Sequence, residues 1–173
     1  MKAMRFAALA AIAVLAGCSS APKPAPPPST FVLPSVSAAL TPAIYVSLTS
    51  SSSLFAIRAS ELALQRSDSN RVRTAARAVI ADQGGVGSQL SYAGRRLDLL
   101  PSATLTPAQA DDLKRLSTSA NFDADYKRTV GDALARALAA HETFARSGAS
   151  PTLRPVAEMA APVTKKNLDA VRR

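Results

Sequence analysis

The chain has 173 residues, with 21 lysines and arginines against 12 aspartates and glutamates, one cysteine, one histidine and no tryptophan. This length suits one compact domain with accessory segments, and a lone cysteine beside a lone histidine excludes an internal disulfide and a structural zinc site. A hydrolase site built on serine or cysteine would have to use His141, and no glycine pattern of a phosphate-binding loop occurs.

Residues 1–17 have the pattern of a secretory signal. Lys2 and Arg5 precede an apolar run over residues 6–17, which is shorter than the ~20 residues that span a bilayer. The run ends in Leu-Ala-Gly followed by Cys18, which resembles the bacterial lipobox. That resemblance implies cleavage before Cys18, a thioether-linked diacylglycerol on its sulfur and acylation of the new amino group by a fatty acid such as palmitate. The alternative is an ordinary signal peptide that contains a cysteine by chance.

A proline-rich tether over residues 18–42 follows the predicted anchor. Seven of the 24 residues from Ser19 to Pro42 are proline, which fixes φ and removes the backbone donor, so neither a helix nor a central strand is expected. We interpret the segment as a spacer rather than as a docking motif for a proline-binding partner. The lipobox resemblance also implies an outer-membrane lipoprotein that faces the periplasm, because Ser19 stands where aspartate would favour retention at the inner membrane.

Residues 43–173 have the pattern of a helical domain. Thr41-Pro42 is a helix start signal, and the first helix is predicted to continue to about Arg66. Its predicted apolar face consists of Ile44, Leu48, Phe55 and Leu62. A second start lies at residues 67–70, and apolar residues then recur at steps of three and four as far as Leu97.

Three more helices are predicted in the second half of the chain. Residues 106–109, Thr-Pro-Ala-Gln, have the form of a capping box that opens a short helix to about Ser117. A long helix begins at Ser119 or Asn121 and ends at Gly148, and the last helix opens at Ser150-Pro151. Four long amphipathic helices with one short helix in the middle connection predict an all-α four-helix bundle.

Three polar residues stand where the helical stripes require apolar side chains, namely Gln83, His141 and Asn167. A buried amide or imidazole without partners costs on the order of 1–3 kcal/mol, so these side chains should bond one another or water. The functional interpretation is a polar or metal pocket in the bundle, and the alternative is a satisfied core network or an edge position that reaches solvent. A purely structural layer predicts that leucine at position 83 or 167 is neutral or stabilising.

Several segments, taken in order along the chain, resemble the bacterial domain-of-unknown-function family 4142. These segments are Ser53–Ile57, Glu61–Gln65, Val79–Gln83, Phe122–Tyr126, Ala140-His141 and Ala161–Val163. The resemblance extends from about Tyr45 to Val171, and its most specific elements are Phe-Asp-x-x-Tyr and the proline of the last helix. It implies a ferritin-like four-helix fold in a secreted or envelope-anchored protein, although fold analogy alone supplies no activity.

The resemblance also implies inward-facing histidines in the second helix, the long fourth helix and near the chain end, with a glutamate in the first helix. The matching residues of this chain are Gln83, Leu134, Asn167 and, for the glutamate, Ala56. If the family residues bind metal, this chain has lost most of the ligands, so no cofactor is expected. The weak candidate ligands that remain are His141, Glu61 and Asp82.

Removal of residues 1–17 leaves 19 cations and 12 anions, a net charge of +7. Binding to nucleic acid is not expected of an exported protein with so few aromatic residues, whereas anionic envelope lipids or polymers are plausible partners. An arginine-rich solvated surface is the alternative. The sequence shows no catalytic constellation, so we predict a non-catalytic structural or interaction module. The residues do not identify a protein partner. The competing hypotheses are a metal-binding, stress-related protein and a binder of anionic envelope components.

Overall fold

A computed structural model describes residues 40–173, and within that range the chain forms five α-helices and no strand. The predicted all-α fold is confirmed. The helices are α1 (Pro42–Arg66), α2 (Asn70–Arg95), α3 (Pro107–Thr118), α4 (Phe122–Ser147) and α5 (Arg154–Arg172). The predicted signal segment, Cys18 and nearly all of the tether lie outside the described residues.

The four long helices form a ring in which α1 and α5 each pack against both α2 and α4. Tyr45 near the start of α1 bonds His141 late in α4, and Ser60 late in α1 bonds Tyr126 early in α4, so these two helices are antiparallel. The connection over residues 96–121 carries α3 and returns the chain to the opposite end of the bundle. A single long crossover of this kind is the connectivity of ferritin-like bundles.

The bundle has two ends, which we call proximal and distal. The proximal end contains the start of α1, the end of α2, the end of α4 and the start of α5, and the distal end contains their other termini. Residue 40, the first that the structure describes, lies at the proximal end beside the start of α1.

The predicted helix starts depend on side-chain caps that the structure contains. The Thr41 hydroxyl accepts a bond from the amide of Ile44, and Thr106 forms the complete capping box with Gln109. Such caps satisfy amide groups that have no partner within the helix. The start of α4 has no side-chain cap of this kind; instead, the Ser119 hydroxyl accepts from the Asn121 amide and donates to the Asp125 carboxylate.

Two sequence predictions about helix placement were wrong. The core face of α1 does not include Ile44, which is 49% exposed, because the helix turns Tyr45 and Val46 inward together with a run of small residues. The last helix begins at Arg154 and not at Ser150-Pro151, because residues 150–153 form a separate turn in which Ser150 accepts bonds from the amide of Leu153.

Gly148 ends α4 as predicted, but not through a left-handed conformation. Its φ is −62°, and a Cβ at this position would lie 2.4 Å from the ring of Phe144. The ring therefore occupies the space of a side chain, and close approach rather than backbone freedom requires glycine here.

The core consists of two apolar clusters. The proximal cluster is built around the stacked rings of Tyr45 and Phe144, whose centroids are 4.2 Å apart, and the distal cluster around Phe55 and Tyr126. On all four long helices, the residues between the two clusters include polar or small side chains. We define the polar layer as the buried polar residues Thr49, Ser53, Gln83, His141, Thr164 and Asn167.

Candidate functional site

Gln83 is the centre of the polar layer. Its side chain is fully buried, the Ser53 hydroxyl donates to Oε1 at 2.8 Å, and Nε2 donates to Asn167 Oδ1 at 2.9 Å. A second, longer bond of 3.4 Å runs from Nε2 to the Thr164 hydroxyl. The one side chain therefore joins α1, α2 and α5, and its amide has a partner on each side.

The same network continues from Asn167 to the surface. Asn167 Nδ2 donates to Asp82 Oδ2 at 2.7 Å, and the Lys166 ammonium lies 2.9 Å from that oxygen. Burial raises the pKa of the Asp82 carboxyl, but the hydrogen bonds from Lys166 and Asn167 and the charge of Lys166 outweigh it and hold the pKa below its usual value. The carboxylate therefore stays ionised and keeps accepting from Asn167.

His141 lies in the polar layer with a different partner. Its Nδ1 is 2.9 Å from the Tyr45 hydroxyl, and the two rings meet edge to face. The imidazole is fully buried, and its Nε2 has no hydrogen-bond partner among the described residues. Burial lowers the pKa of His141 to about 4 and raises the pKa of Tyr45, so both side chains are neutral at pH 7.

The structure thus places all three predicted polar residues in the core but brings only two of them together. Gln83 bonds Asn167 directly, whereas His141 bonds Tyr45 and no member of the Gln83 network. Each of the three falls between the two apolar clusters along its own helix, but they belong to two separate hydrogen-bonded groups.

The weak metal candidates are not brought together either. Glu61 pairs with Arg58 at 3.1 Å on the surface, Asp82 bonds Lys166 and Asn167, and His141 bonds Tyr45. Within residues 40–173 there is no group of three or more histidine, cysteine, aspartate or glutamate side chains that could hold a metal ion. The buried groups that converge are neutral amides and hydroxyls, which bind by hydrogen bonding rather than by strong metal ligation.

A second buried polar contact was not predicted from the sequence. The hydroxyls of Ser60 and Tyr126 lie 2.8 Å apart inside the distal cluster. Burial raises the pKa of Tyr126 to about 12, so the phenol stays protonated throughout the physiological range. The sequence signal was that Tyr126 lies on an apolar stripe, where a buried tyrosine needs a hydroxyl partner.

Ser53 and Tyr45 were also missed as partners in the polar layer. The tract of serines from residue 50 to residue 53 has low helix propensity, yet it lies within α1 and all four serines are buried. Only Ser53 of this tract bonds Gln83, whereas the hydroxyls of Ser50 and Ser51 donate to carbonyl groups of their own helix. No sequence signal marks Tyr45 as the partner of His141, since 96 residues separate them.

A cleft between α1 and α2 lies over the buried amide of Gln83. It encloses about 430 Å³, and its lining includes Ser50, Ser53, Gln83, Gly84, Gly87 and Arg95. A Cβ added at either glycine would meet nothing within 4 Å, so the glycines leave open space beside the helix rather than a close contact. The cleft reaches the polar layer, but the Gln83 amide that lines it already has its partners.

These features define an all-α bundle with one long crossover and a buried layer of bonded amides and hydroxyls. The family model described as "Domain of unknown function (DUF4142)" matches residues 33–173, and the chain belongs to this family. The resemblance of the sequence to that family is thereby confirmed. No curated protein and no solved structure matched the chain. No helix within residues 40–173 has the length and hydropathy to cross a membrane.

Proposed function

We propose that this protein is a lipid-anchored module of the bacterial envelope that serves as a structural or interaction component rather than as an enzyme. In this proposal Cys18 carries the lipid, and the helical domain faces the periplasm from the outer membrane. The only cysteine of the chain stands at the end of a signal-like segment in a lipobox-like sequence, which supports the anchor.

The proposal that the protein is not an enzyme rests on the hydrogen bond between Gln83 and Asn167. The family resemblance implies inward histidines at these positions, and here the two amides bond each other at 2.9 Å. Each amide also has a further partner, Ser53 for Gln83 and Asp82 for Asn167. A self-satisfied amide pair holds helices together, whereas a catalytic metal site would need imidazole or carboxylate ligands with an open position.

The other two positions that the family resemblance matches to metal-binding residue types also support a non-catalytic role. Ala56 and Leu134 are both buried in the distal cluster, where they offer only hydrocarbon. A ligand set that once spanned the four positions would therefore be reduced to two amides.

Elemental analysis tests the non-catalytic part. Chain 18–173 is exposed in turn to Fe²⁺, Mn²⁺ and Zn²⁺, dialysed and analysed, and we expect less than a stoichiometric amount of each metal. The matched control is the double variant Gln83→His/Asn167→His, which places two imidazoles where the amides touch and should retain more Zn²⁺. Stoichiometric metal in the natural chain that disappears in Gln83→Leu would contradict the proposal.

Processing in cells tests the anchor. We expect Cys18→Ser to abolish incorporation of labelled fatty acid and to leave the precursor uncleaved, because the thiol is the site of lipid attachment. Ser19→Ala is the matched control that leaves the thiol in place and should be processed normally. A soluble mature protein that is still released from the Cys18→Ser chain would show that an ordinary signal peptidase cuts this sequence.

A further inference from the structure

Exposed large apolar side chains collect at the proximal end of the bundle. Among the described residues there are four of them, Ile44, Tyr92, Leu100 and Met159. Ile44 is in the first turn of α1, Tyr92 is in the last turn of α2, Leu100 follows α2, and Met159 is in the second turn of α5. The exposures of Tyr92 and Leu100 are 61% and 73%, and none of the four lies at the distal end.

Arginines without ion-pair partners accompany these apolar groups. Exposed at the proximal end are Arg95, Arg96, Arg146 and Arg154, and no ion pair of residues 40–173 includes any of them. Three acids, Asp98, Glu142 and Glu158, share this end, so the arginines exceed the acids by one. The six ion pairs of the described chain all lie at the middle or the distal end.

The chain also enters the domain at this end. Residue 40 lies beside the start of α1, and the segment that joins it to Cys18 would span at most roughly 70 Å at ~3.1 Å per residue. A lipid on Cys18 would therefore keep the proximal end within reach of the bilayer surface without forcing contact.

We propose that the proximal end docks on the surface of a phospholipid bilayer with anionic headgroups. Tyr92, Leu100 and Ile44 enter the headgroup region, and the arginines beside them bind lipid phosphates. Tyrosine and arginine combine an apolar body with a polar tip, which suits them to this boundary. The inference rests on the proposed envelope function for its membrane, and it adds which surface of the domain the membrane meets.

A bilayer suits this surface better than a second protein. The apolar side chains come singly from three helices and a connection, with arginines among them. A stable protein interface buries about 800 Å² of each partner around a packed apolar centre, whereas binding at a lipid surface increases with each apolar group buried and each cation near the anionic headgroups.

A single tryptophan reports on docking, because the natural chain has none. The Tyr92→Trp reporter is made in chain 18–173, and the only cysteine, Cys18, is coupled chemically to maleimide lipid in vesicles of phosphatidylethanolamine and phosphatidylglycerol. We expect a blue shift of the emission and quenching by brominated lipid, both weaker at high salt. Thr118→Trp, an exposed site at the end of α3, is the matched control and should show neither.

Charge reversal separates the arginines from the general basic charge. Arg95→Glu/Arg96→Glu in the reporter chain should abolish the shift and the quenching, while Arg77→Glu/Lys114→Glu should keep them. Both pairs consist of exposed residues outside every described ion pair, and both change the net charge by the same amount.

Three results would overturn the docking proposal. Equal quenching at positions 92 and 118 would mean that the domain has no preferred face toward the lipid. A blue-shifted reporter before vesicles are added would mean that another part of this chain covers the surface. Dimers in sedimentation that the Tyr92→Trp change disrupts would assign the surface to a second copy. Because the coupling to Cys18 is chemical, these outcomes do not depend on whether cells lipidate that residue.

Discussion

The Gln83–Asn167 group and the His141–Tyr45 group differ in how their buried polar atoms are hydrogen-bonded. Gln83 and Asn167 satisfy each other, and their network reaches the surface through Asp82 and Lys166. His141 has one partner, Tyr45, and its other ring nitrogen is sealed without any among the described residues. The first group therefore stabilises the fold by its bonds, whereas the second retains the cost of an unmatched buried atom.

This difference indicates what each group contributes to the fold. The bond between the two amides joins α2 to α5, and a shift of one helix along the other would separate Gln83 from Asn167. The imidazole depends on staying neutral, because a positive charge beside the Tyr45 hydroxyl and apolar neighbours would lack solvation. One group is sensitive to deletion of its partners, and the other is sensitive to pH.

Deletion of Gln83 should have the largest effect on stability. Gln83→Ala leaves the Ser53 hydroxyl and the Asn167 oxygen without their partner and opens a cavity, so we expect a loss of about 3 kcal/mol in the free energy of unfolding. Urea denaturation followed by circular dichroism measures it. Gln89→Ala, an exposed glutamine of the same helix, is the control and should change stability by less than about 0.5 kcal/mol.

The structure also revises the expectation for leucine at position 83. A single Gln83→Leu change fills the volume but still deprives Ser53 and Asn167 of a partner, so it should destabilise rather than be neutral. A stability equal to that of the natural chain would mean that the network contributes little.

Acid should act next most strongly, through His141. The pKa of its side chain is about 4 in the folded state against an ordinary value of 6.5 for histidine, so the folded form binds the proton less well. Stability therefore falls as the pH drops from about 6.5 toward 4. Between pH 7 and pH 4.5 we expect a loss of about 2 to 3 kcal/mol in the free energy of unfolding. Urea denaturation at the two pH values measures it.

His141→Gln provides the control for the acid effect, since it removes the titrating group and leaves every carboxylate in place. The difference in stability between the two pH values should be smaller in the variant by the amount that His141 supplied. The same pH dependence in both chains would contradict the assignment of the acid effect to His141.

Removal of the buried hydroxyl contact in the distal cluster should have a smaller effect. Tyr126→Phe keeps the ring but leaves the Ser60 hydroxyl without its partner, so we expect a loss of about 1 kcal/mol in thermal or urea unfolding. Tyr92→Phe removes a hydroxyl from an exposed ring and should leave stability unchanged. Equal effects of the two substitutions would mean that the buried bond has no net value.

The surface end of the amide network should matter least. Lys166 is exposed and Asp82 is partly exposed, so Lys166→Ala should cost no more than about 0.5 kcal/mol in urea unfolding at moderate salt. Lys165→Ala, which breaks the fully surface pair with Asp169, should cost as little. A loss above about 2 kcal/mol for Lys166→Ala alone would place the centre of the network at Asp82 rather than at Gln83.

Much of the fold was predictable because its signals are local. Thr41-Pro42 and the capping box at Thr106 begin their helices as expected, since a hydroxyl and a proline act within one turn. The face of α1 was predicted only in part. Phe55 is buried as expected, but most of the other core positions are serine, threonine or alanine, which give weak apolar periodicity. The stripe with the larger residues Ile44 and Leu48 consequently looked like the core face.

The polar layer was predictable only in part. Gln83, His141 and Asn167 stand out because they interrupt apolar stripes, and the structure buries all three. The axial positions of the helices decide which of these side chains bond. The bonded residues lie 84 or more residues apart along the chain, and no local pattern contains that information. The pairing of His141 with Tyr45 rather than with the amides is a product of tertiary packing.

A double-mutant cycle on Gln83 and Asn167 tests most directly whether the amide pair is a structural bond that is independent of metal. Unfolding free energies of the natural chain, Gln83→Leu, Asn167→Leu and the double variant are measured with chelator and again with Zn²⁺, Mn²⁺ or Fe²⁺. We predict a coupling of about 1 to 2 kcal/mol between the two amides that is the same under every condition, because the bond joins protein groups alone. Additive losses without coupling, or a coupling that appears only when metal is present, would contradict a self-satisfied structural layer.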